Sequence, residues 1–142
     1  MDSIDTDGRS RLSWMWVFVM LNMIYADIFS FMNAGVLQGF LEGRAEEIVI
    51  TPTFLLVAAI VTEIPIAMAV LSHALPQRAN RWANMIVSIF TIAYIWGGGL
   101  LSMPHYVFIA GIETVVLVYI ARFAWKWRAA DERVLARNLA TE

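Results

Sequence analysis

Residues 53–75 read TFLLVAAIVTEIPIAMAVLSHAL. A membrane span needs about 20 mainly apolar residues at about 1.5 Å rise each, and this run meets that length. Thr51-Pro52 just before it reads as an N-cap with proline at the first helical position, and Pro76 closes it. Inside the run stands one acid, Glu63, with no Lys or Arg to balance it, and Pro65 follows two residues later. That proline removes a backbone donor, frees the carbonyl of Val61 and is expected to kink the helix beside the acid.

Three further stretches of the same kind lie on either side: Leu12–Asn33, Ala79–Leu101 and Tyr106–Trp125. Gly97-Gly98-Gly99 loosens the end of the third, and Met103-Pro104 opens the fourth. Trp14, Trp16, Trp82, Trp125 and Trp127 fall near the ends, where amphipathic rings favour the headgroup layer. The composition agrees: of 142 residues, 60% are hydrophobic and 15% charged, against roughly half and a quarter in a soluble domain. The expected fold is all-α, a single four-transmembrane-helix bundle running up-down-up-down. Residues 1–11 are expected to be a disordered tail, and residues 126–142 a helical extension of the fourth span. Met1 to Asp7 is acidic, and no small-residue cleavage site follows, so the start does not read as a secretory signal.

Basic residues set the orientation. Arg9, Arg11, Arg78, Arg81, Arg122, Lys126, Arg128, Arg133 and Arg137 share one side of such a bundle, against Arg44 on the other. The positive-inside rule then places both termini in the cytoplasm. The connector Ala34–Ile50 carries Glu42, Glu46 and Glu47. Its Val36, Leu37, Phe40 and Leu41 suit a short helix lying on the outer membrane surface.

Asp27 and Glu113 repeat the anomaly of Glu63 in the first and fourth spans. Counting helical rise from the outer ends, Asp27 lies about 9 Å deep, Glu63 roughly 15 Å and Glu113 about 11 Å. Thr91 and Tyr94 reach a similar depth on the third span, and Asn22 and Tyr25 flank Asp27 on the first. Asn80, Asn84, Ser88 and Thr91 form a polar stripe expected to face the bundle interior. Ala59, Glu63 and Ala67 share a stripe on the second span, small residues flanking the acid as close helix packing prefers. Carboxyl groups at membrane depth are costly unless neutral, paired or wet. Apolar surroundings favour the neutral form of a carboxyl, two acids sharing one proton titrate as a unit, and a bound cation reverses that logic.

Other chemistries lack support. There is no cysteine, which excludes disulfide exchange, thiolate catalysis and Cys-ligated metal sites. His73 and His105 belong to opposite ends of their spans and cannot hold one haem iron. The Gly97-Gly98-Gly99 run lacks the Lys-Ser/Thr of a phosphate loop, no nucleophile or metalloprotease pattern occurs, and no basic aromatic face suggests nucleic acid. No catalytic residue, metal or cofactor is therefore assigned. Arg78-Ala79-Asn80-Arg81-Trp82-Ala83-Asn84 suits lipid phosphate at the inner surface, although orientation and anchoring explain its arginines equally well.

Leu21-Asn22-Met23-Ile24-Tyr25-Ala26-Asp27, Glu63-Ile64-Pro65-Ile66-Ala67-Met68 and the Arg78–Asn84 string resemble a family of small prokaryotic four-helix membrane proteins of unknown function. The resemblance runs from about Trp14 to Trp127 and implies a bacterial or archaeal origin, with the bacterial inner (plasma) membrane as the expected location, four spans, no assigned activity and no catalytic residues. The architecture is also similar, more loosely, to DoxX-like membrane proteins.

Three functions fit. A binding or transport module would use Asp27, Glu63 and Glu113, with Asn22, Tyr25, Thr91 and Tyr94, to hold a proton, a cation or a small ligand, and a homodimer would be expected. An accessory subunit would use the same residues as interhelical glue. A lipid-modifying enzyme would use paired carboxyls as general acid and base; beyond the carboxyls themselves no pattern points to an enzyme. In all three the lipid bilayer is the one assured partner.

Overall fold

The structure, a computed structural model, describes residues 2–45, 48–98 and 102–139, with side chains from Asp7 to Lys126 within those ranges. Five helices and one small hairpin follow in order: α1 (Asp2–Phe31), α2 (Ala34–Leu41), β1 (Arg44–Ala45), β2 (Ile48–Val49), α3 (Pro52–Ala74), α4 (Gln77–Gly98) and α5 (Pro104–Leu139). The class is all-α in a helical bundle. α1 begins at Asp2, within the stretch expected as a disordered tail. Glu46, Glu47, Gly99 and the end of the third stretch at Leu101 lie outside the described residues.

Local chemistry sets the boundaries. Thr51 caps α3, its hydroxyl accepting from the Phe54 N–H at 3.1 Å, with Pro52 at the first position. Pro65 sits inside α3 without ending it. Asn33 caps α2 by accepting from Gly35 N at 3.0 Å and Val36 N at 3.3 Å. Beyond α2 the chain reverses at Gly43, whose φ of 74° is the left-handed conformation that glycine adopts without strain. Arg44 and Ala45 then pair antiparallel with Val49 and Ile48.

α1 packs on α3 and α5, and α4 packs on α5 and α3. Neighbouring helices run in opposite directions: Arg9 near the start of α1 bonds the carbonyls of His73 and Leu75 at the end of α3. Ser30 at the other end of α1 meets His105 at the start of α5 at 3.2 Å. The bundle therefore has a terminal end, holding the N-terminus and the α3–α4 turn, and a roofed end, holding α2 and the hairpin. Leu12, Trp16, Val19, Met68, Ile95, Ala110, Leu117 and Ile120 form the core.

Among the described residues three helices are long and apolar enough to cross a membrane: Asp7–Phe31, Pro52–Ala74 and Pro104–Lys126. The third stretch expected at 79–101 is not among them. α4 has 22 residues, a sufficient length, but Asn80, Arg81, Asn84, Ser88 and Thr91 dilute its apolar content. All five are buried, so the polar stripe of α4 faces the bundle. α3 is the opposite case. Only 11% of its span is buried inside the protein, against 28% for α1 and 33% for α5.

Candidate functional site

The helices separate at the roofed end around a cavity of about 560 Å³. α1 lines it with Met20, Met23, Ile24 and Asp27, α3 with Phe54 and Thr62, α4 with Tyr94 and Ile95, and α5 with Tyr106 and Glu113. Val36, Phe40, Arg44 and Ile48 of α2 and the hairpin close over it. The roof therefore covers the cavity. Gly39 allows a close approach here: a Cβ there would stand 3.3 Å from the Arg44 carbonyl oxygen, so a side chain would need the hairpin backbone to yield by a few tenths of an ångström.

Two carboxyls face this space. Asp27 projects from an exposed part of the α1 wall, whereas Glu113 is only 2% exposed. Tyr94 and Tyr106 line the same space. Glu113 Oε1 is buried without a hydrogen-bond partner. Leaving such an acceptor unmet costs about 1–3 kcal/mol, more when it is charged. The nearby donors point elsewhere: Tyr106 donates its hydroxyl to the Ile95 carbonyl at 3.2 Å, and Thr114 donates to the Ala110 carbonyl at 2.7 Å. An ionised carboxylate only accepts, so Asp27 cannot satisfy Glu113 without a proton or a cation between them.

The other residues singled out in the sequence go elsewhere. Glu63 is exposed on the outward face of α3 and does not line the cavity; its neighbour Thr62 does. One residue of helical phase decides this, and α3 is too uniformly apolar for the sequence to fix that phase. Thr91 is buried and donates to the Val87 carbonyl at 2.7 Å. Asn22 donates to the Phe18 carbonyl at 2.9 Å, and Tyr25 is exposed with its ring 6.3 Å from that of Phe29. Of the seven, Asp27, Tyr94 and Glu113 line the cavity. Tyr106, Thr62 and Arg44 line it too and were not anticipated. Tyr106 was legible in principle, since it precedes Glu113 by seven residues, two turns along one face of α5.

The buried amides near the other end are structural. Asn84 accepts from the Trp16 indole at 2.7 Å and donates to the Asn80 carbonyl and side-chain oxygens at 2.8 and 2.6 Å. Asn80 in turn donates to the Ser72 carbonyl at 2.8 Å, and Ser13 donates to the Ala69 carbonyl at 2.6 Å. This chain of bonds joins α1, α3 and α4. Among the described residues no group of three or more His, Asp and Glu could hold a metal ion.

A helical bundle with three long apolar helices defines a small multi-pass membrane protein. The chain belongs to a family of unknown function, DUF6326, which matches it over residues 3–133. No curated protein and no solved structure matches it.

Proposed function

We propose that the protein crosses the membrane four times, with both termini cytoplasmic, and binds a small organic cation in the roofed cavity. α4 serves as the fourth span because its polar groups turn inward and its outward residues, Ile86, Ile89 and Phe90 among them, are exposed and apolar. The observation that carries the binding reading is Glu113: a buried carboxyl with an unmet oxygen, facing a cavity that a second acid also faces. An alkylammonium group would supply donors to both carboxyls, and its positive charge suits the faces of Tyr94 and Tyr106. Met20, Met23, Ile24 and Phe54 would cover the apolar remainder of such a ligand.

Calorimetric titration of the purified chain in detergent with alkylamines of increasing length tests this. Saturable binding that Glu113→Gln weakens at least tenfold is expected, with Glu63→Gln unchanged. Equal affinity in wild type and Glu113→Gln would remove the basis for the reading. The accessory-subunit reading draws on the Trp16–Asn84–Asn80–Ser72 chain, which acts as glue between helices. It accounts for the terminal end and leaves the unmet oxygen of Glu113 unexplained.

A further inference from the structure

The terminal end holds a second unmet group, independent of the cavity. Arg81, early in α4, is 8% exposed. Its guanidinium lies over the Trp82 ring at 5.3 Å and over the Trp125 ring at 5.4 Å. Its Nε is buried without a hydrogen-bond partner, and no side chain among the described residues pairs with its charge. Aromatic faces attract a cation through their quadrupole, but they carry no formal charge and offer no in-plane acceptor to the guanidinium edge. A buried cation in this position calls for an anion.

Its surroundings specify which anion. Arg78 stands one turn before it on α4, and Arg122 and Lys126 flank Trp125 on α5, all three exposed. Both tryptophans are themselves exposed on the outside of the bundle, Trp82 in the second turn of α4 and Trp125 at the end of the apolar segment of α5. Indole rings in that position favour the headgroup layer. A planar guanidinium fork matches phosphate oxygens two at a time, and neighbouring basic residues add attraction to a negatively charged surface.

We infer that Arg81, held between Trp82 and Trp125, binds a phosphate group, and that the phosphodiester of an anionic phospholipid occupies the site. The rings hold the guanidinium plane in place and cover the upper acyl chains, while Arg78, Arg122 and Lys126 favour a lipid with net negative charge.

Native mass spectrometry of the delipidated full chain, titrated with phosphatidylglycerol, phosphatidylcholine and inorganic phosphate, tests the assignment. One phosphatidylglycerol is expected to be retained, with at least a tenfold loss of affinity in Arg81→Gln and less than a twofold loss in Arg11→Gln. Inorganic phosphate binding with the same dependence on Arg81 would support the phosphate chemistry and identify a free anion as its source. Arg11→Gln losing as much as Arg81→Gln would overturn the inference in favour of diffuse attraction, and phosphatidylcholine held as tightly as phosphatidylglycerol would overturn the choice of an anionic lipid. Should Arg81→Gln not fold, nitrogen–phosphorus recoupling by solid-state NMR on the wild type decides instead. Dephasing of the ring-shifted arginine resonance by lipid phosphorus supports the site, and no dephasing overturns it.

Discussion

The amide pair at the terminal end and the carboxyl pair at the roofed end meet burial in opposite ways. At the terminal end Asn80 and Asn84 satisfy one another and reach out to Trp16 and to the carbonyl of Ser72. At the roofed end Asp27 and Glu113 face a cavity, and a buried oxygen of Glu113 has no partner. The difference lies in the side chains. An amide carries both donors and acceptors, so two amides can close a bond between them and pull their helices together. An ionised carboxylate carries acceptors alone, so two of them require something from outside. Amides thus weld one end, and carboxyls leave the other in need of a proton or a cation.

Substitutions can break or sharpen this contrast. The largest effect is expected from Asn84→Leu, which strands the Trp16 N–H and removes the bonds to Asn80. About 2–3 kcal/mol of stability should be lost, visible as a lower melting temperature in detergent. Loss of much less than 1 kcal/mol would mean that the amide chain is not what joins these helices. At the other end Glu113→Gln should reduce alkylamine affinity tenfold or more, about 1.4 kcal/mol, while the melting temperature stays level or rises. A large fall in melting temperature would instead make Glu113 a structural group like Asn84. Tyr106→Phe removes the 3.2 Å bond to the Ile95 carbonyl and should cost about 0.5–1 kcal/mol, measured by the same melting curve. Glu63→Gln should have the smallest effect, within about 0.5 kcal/mol and with no change in affinity. A loss of binding there would place Glu63 in the site after all.

The long apolar helices were legible because a run such as Thr53–Leu75 has no other way to bury or shelter its surface, and Thr51-Pro52 marks its start in plain chemistry. The inward stripe of α4 was legible for a related reason: Asn80, Asn84, Ser88 and Thr91 contrast with apolar neighbours and so reveal their phase. α3 offers no such contrast, and there the position of Glu63 could be read only as a depth. Residues 1–11 read as a tail because Asp, Ser and Gly weaken helix propensity, yet α1 continues back to Asp2. Of the proposed site, Asp27 and Glu113 followed from the anomaly of a charge in an apolar run. Arg44 did not, because it comes to the cavity through the reversal at Gly43, which no periodicity foretells.

α5 runs without interruption from the cavity wall to Leu139, 36 residues in all, or about 54 Å at the usual rise. From Glu113 to its far end is roughly 39 Å, most of it beyond the cavity. Such a helix is a lever with its short arm in the site. A tilt of about 5° at Glu113 carries Leu139 about 3 Å sideways at that length, so a small adjustment around a bound ligand becomes a displacement that a pair of spin labels could record.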